Sequence, residues 1–328
     1  MLTFSSSFDI INITWSDMET KIKAFLETLD RSPQTIFAYR NALKMFVGVV
    51  GEDAELNLST YTKFLISIKS KAPATKRVYT TAVRKFYAFY KAWNPDELKE
   101  ATEHYTRTQG KRIVNFNREA VEKVIAYCVS LNGESASSPR EALEALRDRA
   151  FVLTLVDTGL RISEACALKR GDIDWLEQRS IIIGKGDKQA VVYYSNRCIE
   201  ALKAYLHARA SVEPNSRTPL GSQPLFARHD IRASKRIRPI TAGGMWKAIK
   251  GDPKQGVIGR LEEAGVERNS LRIHDFRHYF VTMTYLARGD LKMSQVLARH
   301  ESIATTNRYA HFNTEAAKAY DEIFNKRQ

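Results

Sequence analysis

At 328 residues the chain is long enough for two domains with separate cores, and its 44% hydrophobic and 10% aromatic content is that of a globular protein, not a disordered one. The balance of 51 Lys+Arg against 37 Asp+Glu leaves a net charge of +14 and a pI near 9.6, a surplus that points to a polyanionic partner because each neutralised phosphate releases condensed counterions. Three scattered cysteines, Cys128, Cys166 and Cys198, form no CxxC pair and so indicate neither a disulfide framework nor a thiolate zinc site, and no apolar run approaches the ~20 residues that cross a bilayer.

Residues 1–16 form an N-terminal extension without the basic start and continuous apolar stretch of a signal peptide, so the expected protein is soluble and cytoplasmic, with no membrane partner. From Asp17 to Trp93 the pattern is helical. SDMETKIKAFLETLD sets Met18, Ile22, Phe25, Leu26 and Leu29 on one stripe. SPQTIFAYRNALKMFVGVVG opens with Ser32 as cap and Pro33 in the first turn, and Gly51 closes it. NLSTYTKFLISIKS and APATKRVYTTAVRKFYAFYKAWN read as two more amphipathic helices, so four helices make a small all-α domain within residues 17–106. Opposite the apolar stripes stand Arg40, Lys44, Lys76, Arg77, Arg84 and Lys85, which read either as a solvated face or as contacts to DNA phosphates. Asn94-Pro95 stops the last helix. The polar, basic stretch beyond it ends in a linker at 107–117, where Arg107, Lys111 and Arg112 could track a nucleic-acid backbone.

Residues 118–328 form a longer, mixed domain. NREAVEKVIAYCVS and PREALEALRDRAFVLTLVDTG read as helices, and RSIIIGKGDKQAVVYYS as a β-hairpin of two β-branched or aromatic runs around a glycine-rich turn. RCIEALKAYLHARA returns to helix, Ser211 to Pro239 is mostly loop, and ITAGGMWKAIK and QGVIGRLEEAG form short helices. Further helices are expected around 275–288, 291–299 and 303–309.

Four segments carry the chemistry. In DTGLRISEACALKRGDIDW a helix ends at Gly159 and another starts near Ser163, so Arg161 sits where backbone N–H groups also point outward, a place to hold an anion or simply a solvated cap. In GKGDK, Lys185 lies between two glycines and can swing toward a ligand or serve as an exposed solubilising charge. RIHDFRHYF sets His274 and His278 at the spacing for a shared zinc, and His274 and Arg277 at the spacing for a shared phosphate. Asp275 stands where a zinc peptidase needs glutamate, and Glu301 could be imagined as a third ligand. Arg277 beside the metal and the basic charge of the chain argue against that reading, and His278 reads as a core-facing residue. In VLARHESIATTNRYAHF, Tyr309 follows His300 by nine residues, either as a packed aromatic or as a nucleophile for phosphoryl transfer.

Together, Arg161 in TGLRISEACAL, Lys185 in GKGDK, HDFRH and RHESIATTNRY resemble, in order and spacing, the tyrosine recombinases: phage integrases and Xer-type resolvases. Arg161 to Lys185 is 24 residues and Arg277 to His300 is 23. SPQTIFAYRNALKMF is similar to their helical core-binding domain, and the resemblance runs from about Asp17 to about Phe312. It implies a mainly α chain with a small β-hairpin or sheet (α+β), a SAM-like core-binding domain and a catalytic domain. It also implies a site that works without metal or cofactor. Arg161 and Arg277 would hold the two non-bridging oxygens of a scissile phosphate, and His274 would assist as base. His300 would add a hydrogen bond, Lys185 would protonate the departing 5′-oxygen, and Tyr309 would form a 3′-phosphotyrosyl link. Glu164 would brace Arg161 or a neighbouring histidine. The implied partners are double-stranded DNA recombination sites and three further copies in a synaptic homotetramer, joined by exchange of a tail helix with Ala316, Tyr320, Ile323 and Phe324 on one stripe.

The chain departs from the family pattern at three places. Arg299 stands where glycine usually precedes the late histidine, Gln189 and Ala190 stand where an arginine commonly follows the hairpin lysines, and Trp246 to Gly265 is longer than usual. A type IB topoisomerase and a catalytically silent DNA-binding factor are the alternatives. The helical N-terminal domain and the presence of all six catalytic residue types argue against them.

Overall fold

The computed structural model describes residues 18–106, 115–183, 189–213, 216–230, 236–300 and 302–312. The chain divides into two compact units, Met1–Arg112 and Ile113–Gln328.

The first unit holds five helices among the described residues: α1 (Met18–Glu27), α2 (Pro33–Val50), α3 (Leu58–Ser67), α4 (Pro73–Phe89) and α5 (Pro95–Tyr105). Ser32 Oγ caps α2 by accepting the Thr35 N–H, and Asn57 caps α3 by accepting from Thr60 N at 3.0 Å. The apolar stripes meet in an aromatic core, with Phe46 5.6 Å from Phe64 and 5.8 Å from Tyr87 between ring centroids. The helix α5 corrects the expectation of four helices. Asn94-Pro95 ends α4 but also starts the next helix, since Asn94 Oδ1 accepts from Asp96 N at 2.9 Å and Pro95 needs no N–H partner in a first turn. Leu98 then enters the core, and the Tyr61 and Thr102 hydroxyls, 2.6 Å apart, tie α5 to α3.

The second unit carries α6 (Arg118–Ser130), α7 (Pro139–Thr158), α8 (Ile162–Ala167), β1 (Ile173–Asp174), β2 (Arg179–Ile183), β3 (Gln189–Tyr193) and α9 (Asn196–Ala210). Then come α10 (Ala242–Lys250), α11 (Arg260–Glu263), α12 (Ile273–Arg288), α13 (Leu291–Ala298) and α14 (Ile303–Thr306). The hairpin is part of a three-stranded antiparallel sheet, β1-β2-β3, with Ile181 opposite Val191. Its turn, with Lys185, lies outside the described residues.

Helix α7 is the axis of this unit. Ala150 to Val156 is buried without a break, so this half of the helix is enclosed by neighbours on every side. Its buried Asp148 pairs with Arg147 and with Arg260 of α11, each at 2.8 Å. It ends at Gly159 in the left-handed conformation (φ 62°), and a Cβ there would lie 2.3 Å from the Phe280 ring of α12. Glycine is therefore needed twice, for its backbone angle and for the helix that packs against it. Gly159→Ala should cost about 2 kcal/mol or more in a urea titration. An unchanged midpoint would mean that this close approach does not exist.

Candidate active site

Three helix ends converge on the Gly159 corner. Arg161 caps α8 in an extended conformation, and its backbone N–H and its guanidinium Nη1 both reach the Glu164 carboxylate, at 2.9 and 2.6 Å. The Arg161 side chain stays 43% exposed, open to a ligand. Arg277, one turn into α12, is 5% exposed. Its guanidinium donates to Gly159 O at the end of α7 and to Ala298 O at the end of α13. Arg299 follows Ala298 with φ +57°; its Nη2 donates to Gly159 O at 3.0 Å and lies 3.4 Å from Glu164 Oε2.

Arg161 and Arg299 thus share the Glu164 carboxylate, and Arg277 feels its charge without bonding to it. Burial, then Arg161 and Arg299, pull the Arg277 pKa down to about 10, as expected where cations exceed their counter-charge. An arriving phosphate would relieve that repulsion. Burial alone pushes the Glu164 carboxyl up, but the bonds from Arg161 and the nearby Arg299 outweigh it and hold the carboxyl below its ordinary 4.5.

Tyr309 lies in the turn Asn307–Phe312 after α14 and is 2% exposed, packed with Val281 and Ala298. Its hydroxyl meets His278 Nδ1. His274, one turn earlier on α12, reaches the surface, and its ring stands edge-on to His278 at 5.8 Å. His300 stacks on the Tyr309 ring at 6.3 Å, and its Nδ1 is 2.9 Å from Thr306 Oγ1. Burial is the largest cause that lowers both His278 and His300 to about 4, with His274 next for His278 and Arg277 next for His300. Both rings are therefore neutral at pH 7. Burial pushes Tyr309 up to about 12, against the pull of Arg277 and Arg308.

The structure therefore brings Arg161, His274, Arg277, His300 and Tyr309 into one region of the second unit. Lys185 falls outside the described residues, as do Arg107, Lys111 and Arg112. In the first unit Arg40, Lys44 and Arg77 are exposed, while Lys76, Arg84 and Lys85 are partly buried. Arg40 and Lys44 line a groove between α1 and α2 with Ile22 and Leu26.

Two residues of the region did not read as functional in the sequence. His278 is half-buried but not merely core-facing, since its ring nitrogen holds the Tyr309 hydroxyl; no spacing rule connects positions 31 residues apart. Arg299 had one signal, an arginine where a helix ends and glycine is usual. Among the described residues no three of His, Cys, Asp and Glu gather closely enough to share a metal ion, and Glu301 lies outside them.

A family model described as the phage integrase family matches residues 130–316, which span every motif of this corner. The chain belongs to the phage integrase family. The tyrosine recombinase XerC of Herpetosiphon aurantiacus is 28% identical over 321 residues, covering 93% of this chain and 94% of that relative. XerD of Bifidobacterium longum is 32% identical over 171 residues, 52% of this chain and 51% of that one. The fold is similar to that of XerH bound to palindromic difH substrate in a post-cleavage complex, with a TM-score of 0.65, 21% identity, and coverage of 94% of this chain and 85% of that chain. It is also similar to the Tn1549 transposon integrase in complex with transposon right end DNA, with a TM-score of 0.59, 18% identity, and coverage of 94% and 98%. The tyrosine-recombinase resemblance and the mainly helical fold with a small sheet are borne out, and the chain is an enzyme of site-specific DNA recombination. The matches favour neither the topoisomerase-like nor the silent alternative. No helix of the described residues is long and apolar enough to cross a membrane.

A carboxyl held lower in the folded chain than in the unfolded one contributes stability above its unfolded pKa, and that contribution is lost as pH falls through the folded value. Glu164 is such a group, so its share begins to fall once the pH drops below its ordinary 4.5. Glu164→Gln should flatten the fall in urea stability as the pH drops from neutrality through the acid range below 4.5. Parallel curves for the two chains would contradict the assignment.

Proposed function

We propose that the chain cuts and rejoins double-stranded DNA at recombination sites, with Tyr309 as nucleophile. Arg161 and Arg277 hold the non-bridging oxygens of the scissile phosphate and stabilise the charge that grows on them. The Tyr309 oxygen attacks phosphorus, the bond to the 5′-oxygen breaks, and a 3′-phosphotyrosyl link keeps the energy of the broken ester for rejoining. The reaction balances without ATP or a redox cofactor. Lys185 delivers the proton that the 5′-oxygen needs, and His300 donates to the phosphate or the tyrosyl oxygen.

The observation that carries this reading is the Tyr309 hydroxyl held by His278 Nδ1 beside the arginine corner. The resemblance implied His274 as the base, whereas the contact in hand belongs to His278. With its own proton on Nε2, a neutral His278 can accept the tyrosine proton at Nδ1, and His274 backs its ring. Tyr309 is 2% exposed, so meeting DNA takes a shift of its ring against Val281 and Ala298 that keeps the hydroxyl within reach of His278.

The first unit lays Arg40, Lys44, Lys76, Arg77 and Arg84 along the DNA backbone, with Lys111 and Arg112 continuing the track. The active assembly is a homotetramer in the cytoplasm, two copies on each recombination site, joined through tail exchange by residues 313–328, which lie outside the described range.

The substrate for testing is a nicked duplex whose site is selected by covalent capture from a random-sequence library. Tyr309→Phe should abolish the SDS-resistant adduct formed in EDTA while leaving DNA binding intact. His278→Ala should slow cleavage by about 10²–10⁴-fold, the range for lost general base catalysis, with a smaller loss for His274→Ala. A full-rate His278→Ala chain beside a crippled His274→Ala chain would move the base to His274, and an adduct on Tyr309→Phe would remove the nucleophile.

Lys185 has its own test. An alkoxide leaving group needs a proton and a thiolate hardly does, so Lys185→Ala should be slow on ordinary DNA and near wild type on 5′-phosphorothiolate DNA. Arg161→Ala should stay slow on both. Failure of sulfur to rescue Lys185→Ala, or rescue of Lys188→Ala instead, would show that another group is the acid.

A further inference from the structure

Arg299 ends α13 with φ +57° and ψ +43°, a left-handed conformation open to glycine and strained for a residue with a Cβ. The helices around it, α7 and α12, end in that same conformation on Gly159 and Gly289. An arginine at a position suited to glycine points to work done by its side chain.

That side chain is 9% exposed. Its Nη2 donates to Gly159 O at 3.0 Å, the carbonyl that also receives Arg277 Nη1. The same nitrogen lies 3.4 Å from Glu164 Oε2, and Glu164 is the carboxylate that holds the Arg161 guanidinium through Oε1. One guanidinium nitrogen therefore touches the support of each phosphate-binding arginine. Arg299 Nε and Nη1 are buried without a hydrogen-bond partner, so Nη2 alone makes the tie, held out on a longer and more rigid stem than a lysine ammonium has.

We infer that Arg299 is a positioning residue: it ties the Gly159 carbonyl to the Glu164 carboxylate and thereby sets the spacing at which Arg161 and Arg277 meet one phosphate. The inference rests on the recombinase reading of the site. It also gives the departure from glycine at this position a purpose. Strain in the backbone is accepted where the side chain locks two catalytic groups into register. The burial of Arg299 keeps it behind the arginine pair, so its effect on the reaction passes through them.

The test compares wild type, Arg299→Gly, Arg299→Lys and Tyr309→Phe on two nicked duplexes, one with an ordinary scissile phosphate and one with a neutral methylphosphonate there. Arg299→Gly relieves the backbone and should keep its DNA binding and its melting temperature. Its cleavage of ordinary DNA should fall by about 10²-fold, the size of loss that follows from a small misplacement of catalytic groups. Arg299→Lys keeps the charge on a shorter, more flexible stem and should also be slowed, by a smaller factor. On methylphosphonate the transition state carries less charge for the arginine pair to hold, so the gap between Arg299→Gly and wild type should narrow. Full-rate cleavage by Arg299→Gly, or the same factor lost on both substrates, overturns the inference. A wild-type chain that forms no adduct, or a Tyr309→Phe chain that does, overturns the recombinase reading itself, and the inference with it.

Discussion

The Gly159 carbonyl is the acceptor on which the catalytic corner is built. A buried guanidinium needs hydrogen-bond acceptors for its donors and a compensating charge. Arg277 finds both at helix ends: Gly159 O closes α7 and Ala298 O closes α13. The carbonyl end of a helix carries partial negative charge, so two such ends hold a cation without consuming a carboxylate. The arrangement leaves the positive charge of the arginine largely uncancelled and available to a phosphate. Remove the left-handed turn at Gly159 and the carbonyl points elsewhere, Phe280 loses its seat, and Arg277 and Arg299 lose a shared partner.

The electrostatics follow from that corner. Burial and nearby cations keep His278 and His300 neutral at pH 7, so the arginines carry the positive charge of this corner and these two rings carry none. Tyr309, pushed up to about 12, holds its proton at neutrality, and His278 Nδ1 is the group that its hydroxyl meets. The +14 net charge of the chain extends this local surplus to the whole molecule, and such a field draws a polyanion in at low ionic strength and weakens with salt.

Much of this was legible in the sequence because it is local. The four-residue spacing of His274 and His278 on α12 and the helix break at Gly159 before α8 follow from helical geometry. The β-hairpin was legible as two β-branched runs, but β1 was not, since two residues show no periodicity. Helix α5 was hidden by Asn94-Pro95, a pair that ends one helix and begins another with equal chemical sense. The bond between His278 and Tyr309 and the bridge from Arg299 to Glu164 and Gly159 join segments far apart in sequence. No periodicity encodes such pairs; they emerge when α7, α12 and α13 pack. The family resemblance identified the chemistry, whereas the partner of the tyrosine hydroxyl came from the packed structure.

The most direct measurement is the chemical identity of the DNA–protein link. Wild-type chain is trapped on a nicked duplex in EDTA and digested with trypsin, and the DNA-bearing peptide is sequenced by mass spectrometry. The account predicts a single modified residue, Tyr309, in the peptide that begins at Tyr309 after cleavage at Arg308, joined to a 3′-phosphate. A link at any other residue, a link to a 5′-phosphate, or an adduct that forms only when a divalent metal is supplied would contradict it.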